Sequence, residues 1–91
     1  MKTLLIGYDL NKAGQNYDDL IKTIKEIAGT WLHNLDSTWL ITSNLSCSEV
    51  RAKLGKHIDA NDELMVLDVT HDDWATRGFS AVANKWLEDN V

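Results

Sequence analysis

Tyr17, Leu20, Ile21, Ile24, Ile27 and Ala28 fall at i, i+3, i+4, i+7, i+10 and i+11, the spacing of one apolar stripe on a helix. Asn16 stands where an N-cap belongs, Asp19 takes the third helical position, and Gly29 marks the end. The pattern therefore predicts an amphipathic first helix. Before it, Thr3 to Tyr8 is a short run of strand formers. Leu4, Ile6 and Tyr8 lie on one face and Leu5 on the other, as expected of a central strand covered on both sides. Between this strand and the helix, residues 9–16 read as a loop, with Gly14 supplying a turn.

Trp31 to Leu35 reads as a second strand. Asp36-Ser37 turns the chain into a third, Thr38 to Thr42, which is β-branched and aromatic. Ser46 and Glu49 form the Ser-x-x-Glu pattern of a capping box, and Val50, Leu54 and Ile58 give the second helix its apolar face. Leu64 to Val69 is a nearly continuous apolar run and predicts a fourth strand. Phe79, Val82, Ala83, Trp86 and Leu87 recur at helical spacing and predict a third helix.

The predicted order is β-α-β-β-α-β plus a C-terminal helix, one α/β (α+β) domain over residues 1–91. Two split crossover units of this kind give a ferredoxin-like four-stranded antiparallel sheet with two helices on one face. The reading places strands one and three at the centre, parallel to each other. The second face needs a cover, from the third helix, from a second subunit, or from both.

Bulk properties narrow the function. At 91 residues the chain is near the lower end of what holds a core without staples, which favours a homodimer. Cys47 is the single cysteine, so no internal disulfide and no multi-cysteine zinc site can form within one chain, as suits a reducing cytoplasm. The N-terminal apolar run, Leu4-Leu5-Ile6, is too short for a signal peptide or a membrane span. Net charge is −5, unevenly spread: residues 1–57 carry seven Lys/Arg against six Asp/Glu, and residues 58–91 carry two against eight. That balance argues against tight non-specific binding of nucleic acid and leaves room for a local basic patch.

Candidate chemistry centres on Asp9, where the central strand leaves the sheet. A carboxylate there suits Mg²⁺, a hard cation that prefers oxygen ligands and keeps several waters. Such a metal activates water and offsets phosphate charge. Asp62 and Glu63, at the start of strand four, are expected to join the same acidic cluster. The simpler alternative is that Asp9 hydrogen-bonds its own loop. On the second helix Lys53, Lys56 and His57 share a face, with Arg51 nearby. They suit phosphate contact, or only the solvated side of an amphipathic helix. His33, His57 and His71 are scattered over three elements without metal-ligand spacing. Cys47 sits in the first turn of the second helix with no evident partner histidine. Of the four tryptophans, Trp39 and Trp86 fall on apolar faces, and Asp72-Asp73-Trp74 reads as a polar turn. No phosphate-binding glycine loop or nucleophile elbow is present.

The opening Leu5-Ile6-Gly7-Tyr8-Asp9 resembles the start of the CRISPR-associated-protein-two superfamily, which includes VapD-like ribonucleases and the GhoS-like antitoxin. Leu35-Asp36-Ser37-Thr38-Trp39-Leu40-Ile41 resembles that group's hairpin, and Asn61-Asp62-Glu63-Leu64-Met65-Val66 the start of its fourth strand. The sequence is also similar to short SinR-family proteins, with their Tyr-Asp-Leu-Asn-Lys opening and Ser-Thr-Trp-Leu hairpin; the likeness covers about residues 3–70, plus a C-terminal helix in that last group. The resemblance implies a ferredoxin-like homodimer. In its nuclease members two copies of the strand-one aspartate hold a divalent metal; Asp9 matches that position as catalytic and metal-binding residue. Asn11, Lys12, Lys53 and Lys56 are the candidate nucleic-acid contacts. The arginine that follows the aspartate in active members is absent here, where only Lys12 is offered, and a helix replaces their C-terminal strand. Two functions follow as expectations: a Mg²⁺-dependent endoribonuclease or endonuclease that handles nucleic acid, or a non-catalytic, antitoxin-like dimeric adaptor that engages a protein partner.

Overall fold

The computed structural model describes residues 1–11 and 17–91. Its elements are β1 (Lys2–Asp9), α1 (Asp18–Ile27), β2 (Trp31–Leu35), β3 (Thr38–Ser43), α2 (Cys47–Gly55), β4 (Glu63–Asp68) and α3 (Ala81–Asn90). The four strands form one sheet in the order β2-β3-β1-β4.

Every adjacent pair is antiparallel, including β1 and β3, where Lys2 faces Ser43 and Gly7 faces Thr38. The expected parallel alignment of strands one and three is thus corrected. A strand–helix–strand connection returns the chain to the end it started from, so β1 and β2 share a direction. The two-residue turn at Asp36-Ser37 then reverses it. β3, inserted between β2 and β1, opposes both.

Period-two alternation sorts β1 cleanly. Leu4 and Ile6 point to the layer of α1 and α2, where they meet Leu20, Ile24, Trp39, Ile41, Val50 and Leu54 in a fully buried cluster. Trp39 is the largest side chain of this core. Its indole N–H donates to Tyr8 Oη at 3.0 Å, which satisfies a buried donor. β2 is irregular between Leu32 and Leu35. Within that stretch the His33 ring stacks on Trp39 with centroids 3.8 Å apart.

Helix ends follow the sequence where they are described. Ser46 Oγ accepts from Glu49 N and the Glu49 carboxylate accepts from Ser46 N, completing the capping box of α2. The expected cap at Asn16 and turn at Gly14 lie outside the described residues. α1 runs from Asp18 to Ile27, with Tyr17 at its N-cap and no side-chain cap bond. Gly29 lies two residues beyond that helix and donates its N–H to Thr42 O at 2.7 Å. A Cβ on Gly29 would sit 2.9 Å from Thr42 Oγ1, so this close approach of α1 to β3 requires glycine.

The third helix lies on the opposite face. Ala83 and Leu87 are buried there, Leu87 and Leu40 line one cavity with Leu5, and Thr3 Oγ1 donates to Asn90 O. Val82, expected on the apolar face, is 81% exposed. The buried side is set by Ala83 and Leu87, four apart, with Trp86 half-buried beside them. This helix covers the half of the face around Leu5 and Leu40. The β4 half stays open: Met65 and Leu67 are 52% and 45% exposed. Among the described residues no helix is long and apolar enough to cross a membrane.

Candidate functional site

The open half of the second face ends in acid. Glu63 is the cross-strand partner of Asp9, Met65 of Gly7, and Leu67 of Leu5. Partners in an antiparallel pair share a face, so these side chains form two parallel rows. The rows are apolar at Leu5 and Leu67 and anionic at Asp9 and Glu63. Gly7, flanked by Thr38 on β3 and Met65 on β4, contributes no side chain. The gap it leaves is a groove of about 390 Å³, with Ser37 and Thr38 on one bank and Glu63 and Met65 on the other. Backbone bonding fixes the groove's end, since Tyr8 N donates to Ser37 O at 3.0 Å.

Asp9 and Glu63 are both exposed. Asp62 is drawn elsewhere. Its carboxylate accepts from Asn11 N and Asp59 N, each at 2.8 Å, and from Tyr17 Oη at 3.0 Å. It closes the loop before β4 onto the exit of β1, and so does not stand with Asp9. The acidic cluster expected of three residues thus contains two, Asp9 and Glu63. Asn11 belongs to the same clamp, its amide donating to Asn61 O at 2.9 Å. Two adjacent carboxylates supply a partial oxygen set of the kind a hard divalent cation takes, with waters completing it. Among the described residues no group of three or more His, Cys, Asp or Glu side chains is arranged to hold a metal ion.

The basic candidates lie elsewhere. Lys53 and Lys56 are exposed at the C-terminal end of α2, in the helix layer on the far face of the sheet from Asp9. Lys12 is outside the described residues. Arg51 is exposed, His57 is half-buried in the turn after α2, and Cys47 is a half-buried free thiol. His33 is engaged with Trp39, and its Nε2 lies 3.1 Å from Asp36 O. Trp31 is exposed under Lys25, whose Nζ stands 5.7 Å from the ring centroid.

Local bonds hold the pKa of Glu49 and of Asp68 below the ordinary carboxylate range. Glu49 is lowered by the backbone N–H and then the side chain of Ser46, Asp68 by the hydroxyl and then the N–H of Thr70. Both are structural anchors. The residues that sequence reasoning missed are Gly7, Thr38, Met65 and Leu67. Their signal was the strand register, which puts a glycine between a hydroxyl and a thioether on the face opposite the core. No protein-family model and no solved structure matches the chain.

Proposed function

We propose that the protein is a ferredoxin-like binding module, of the kind its likeness to the CRISPR-associated-protein-two superfamily suggests, acting as an adaptor. It engages a protein partner through the open half of its second sheet face. The observation that carries this reading is the pair Met65 and Leu67, about half exposed on an edge strand that has a single neighbour. Apolar side chains set side by side on a sheet edge mark an interaction surface, and edges left bare invite pairing.

A second reading rests on Asp9 and Glu63. A second copy seated on the same face by a two-fold axis would set four carboxylates against each other. That arrangement is repulsive unless a cation lies between them. With Mg²⁺ there, the homodimer is a nuclease centre in which the metal activates water and offsets phosphate charge. The homodimer expected of both functions from the chain's size would here form the site itself, with Asn11 and Lys12 as its nucleic-acid contacts. Lys53 and Lys56, in the helix layer on the other face, lie away from such a centre, and the adaptor reading departs from that expectation in taking a single chain.

The test incubates purified protein with single-stranded RNA and duplex DNA, with and without Mg²⁺, beside Asp9→Ala. The adaptor reading expects no Mg²⁺-dependent cleavage by either protein. Cleavage that requires Mg²⁺ and is lost in Asp9→Ala establishes the nuclease instead.

A further inference from the structure

We infer that the partner segment received by this face carries a lysine or arginine beside its apolar residues, and that the cation seats in a cavity next to Leu67. The inference rests on the adaptor reading and names the chemistry of the partner.

The cavity, about 190 Å³, is floored by Leu5, Leu40 and Leu87 and walled by Asp72, Asp73 and Trp74. It adjoins the open strip directly, since Leu5 is the cross-strand partner of Leu67. Asp72 N donates to Val69 O at 3.0 Å, so a tight turn straight after β4 delivers both acids and the indole to the cavity wall.

A mainly apolar cavity bordered by two exposed aspartates is the complement of a long aliphatic stem with a cationic head. The stem buries methylene groups while the head stays near the carboxylates and water. An anionic side chain would be repelled by the two acids.

Charge over the rest of the face points the same way. Asp9 and Glu63, cross-strand partners on this face, close the far end of the strip. A second copy of this chain, net −5, would present like charge to like charge. A cationic partner is favoured both in encounter and in docking.

The test uses peptides that share one apolar pattern. Alternate positions are threonine, and the intervening ones read Val-Val followed by two lysines, two serines or two glutamates. Binding is read by isothermal titration, with tryptophan fluorescence as a second signal, to the wild type, to Asp72→Asn/Asp73→Asn and to Met65→Lys. Both sites are exposed, and circular dichroism checks the fold of each variant.

The lysine peptide is expected to bind at least about tenfold more tightly than the glutamate peptide, and to lose about tenfold in the double Asn variant and with added salt. If the serine or glutamate peptide binds as well as the lysine peptide, and Met65→Lys abolishes both, the cation class is wrong and the docking face stands. If no peptide binds, or Met65→Lys changes nothing, the docking face falls with it. A wild-type mass of twice the chain that returns to one chain in Met65→Lys puts a second copy on the strip and overturns the proposal.

Discussion

Asp9 at the end of β1 and Glu63 at the start of β4 are direct cross-strand partners, both exposed, on the face of the sheet turned away from α1 and α2. Like charges in this relationship destabilise a sheet by a fraction of a kcal/mol. Asp9→Asn is therefore expected to raise stability by about 0.5 kcal/mol at low ionic strength and by less in high salt. Urea unfolding of the two proteins at both salt concentrations checks it. Destabilisation by Asp9→Asn would mean that the carboxylate serves the fold.

Asp62 is expected to behave in the opposite way. It gathers two backbone N–H groups and a tyrosine hydroxyl. Asp62→Ala strands those donors in a half-buried loop and should cost about 1–3 kcal/mol. The same urea experiment, run beside Asp9→Asn, should give shifts of opposite sign for two acids that the sequence places in one cluster.

The Trp39–Tyr8 bond can be tested from the acceptor side. Tyr8→Phe leaves the indole N–H of a fully buried tryptophan without its partner and is expected to cost about 1–3 kcal/mol. Trp39→Phe in the Tyr8→Phe background should cost less than Trp39→Phe alone, because the orphaned donor is removed with it. Additive costs in the double-mutant cycle would show that the two groups are not coupled.

Acid should weaken the fold through Glu49 and Asp68. Both have a folded pKa below the unfolded value, so their contribution is complete above the ordinary carboxylate range, about pH 4, and is lost as pH falls through the folded values. Glu49→Gln/Asp68→Asn is expected to be less stable than wild type at pH 7 and to converge with it as pH falls below the folded values of the two carboxyls. The capping serine is coupled to Glu49: Ser46→Ala should cost about 1 kcal/mol at neutral pH, and removes the side-chain bond that helps hold the Glu49 pKa down. Thermal melts across the acid range give both results.

Much of the fold was readable because its signals are local. The capping box at Ser46 and Glu49, the two-residue turn at Asp36-Ser37 and the alternation of Leu4, Leu5 and Ile6 each fix their own element. Strand direction is not local, and β1 and β3 proved antiparallel because the turn into β3 follows a crossover that had already restored direction. Val82 misled for a different reason. It keeps helical spacing with Phe79 and Trp86, yet the burial of Ala83 and Leu87 turns it to solvent. At the candidate site, Asp9 and Glu63 could be paired from strand order alone. The diversion of Asp62 could not, because it depends on where Asn11, Tyr17 and Asp59 meet in space. The open strip at Met65 and Leu67 was hidden for a similar reason. An apolar run reads as buried, and only the packing of α3 shows which half of the face goes uncovered.

The most direct test of the adaptor account is the mass of the protein by sedimentation equilibrium, in EDTA and in Mg²⁺, for wild type and Asp9→Ala. The account predicts the 10.3 kDa of a single chain in all four conditions, with the strip left free for its partner. A wild-type mass that doubles only with Mg²⁺, and stays single in Asp9→Ala, would show that a second copy and a shared cation occupy the face, and would contradict it.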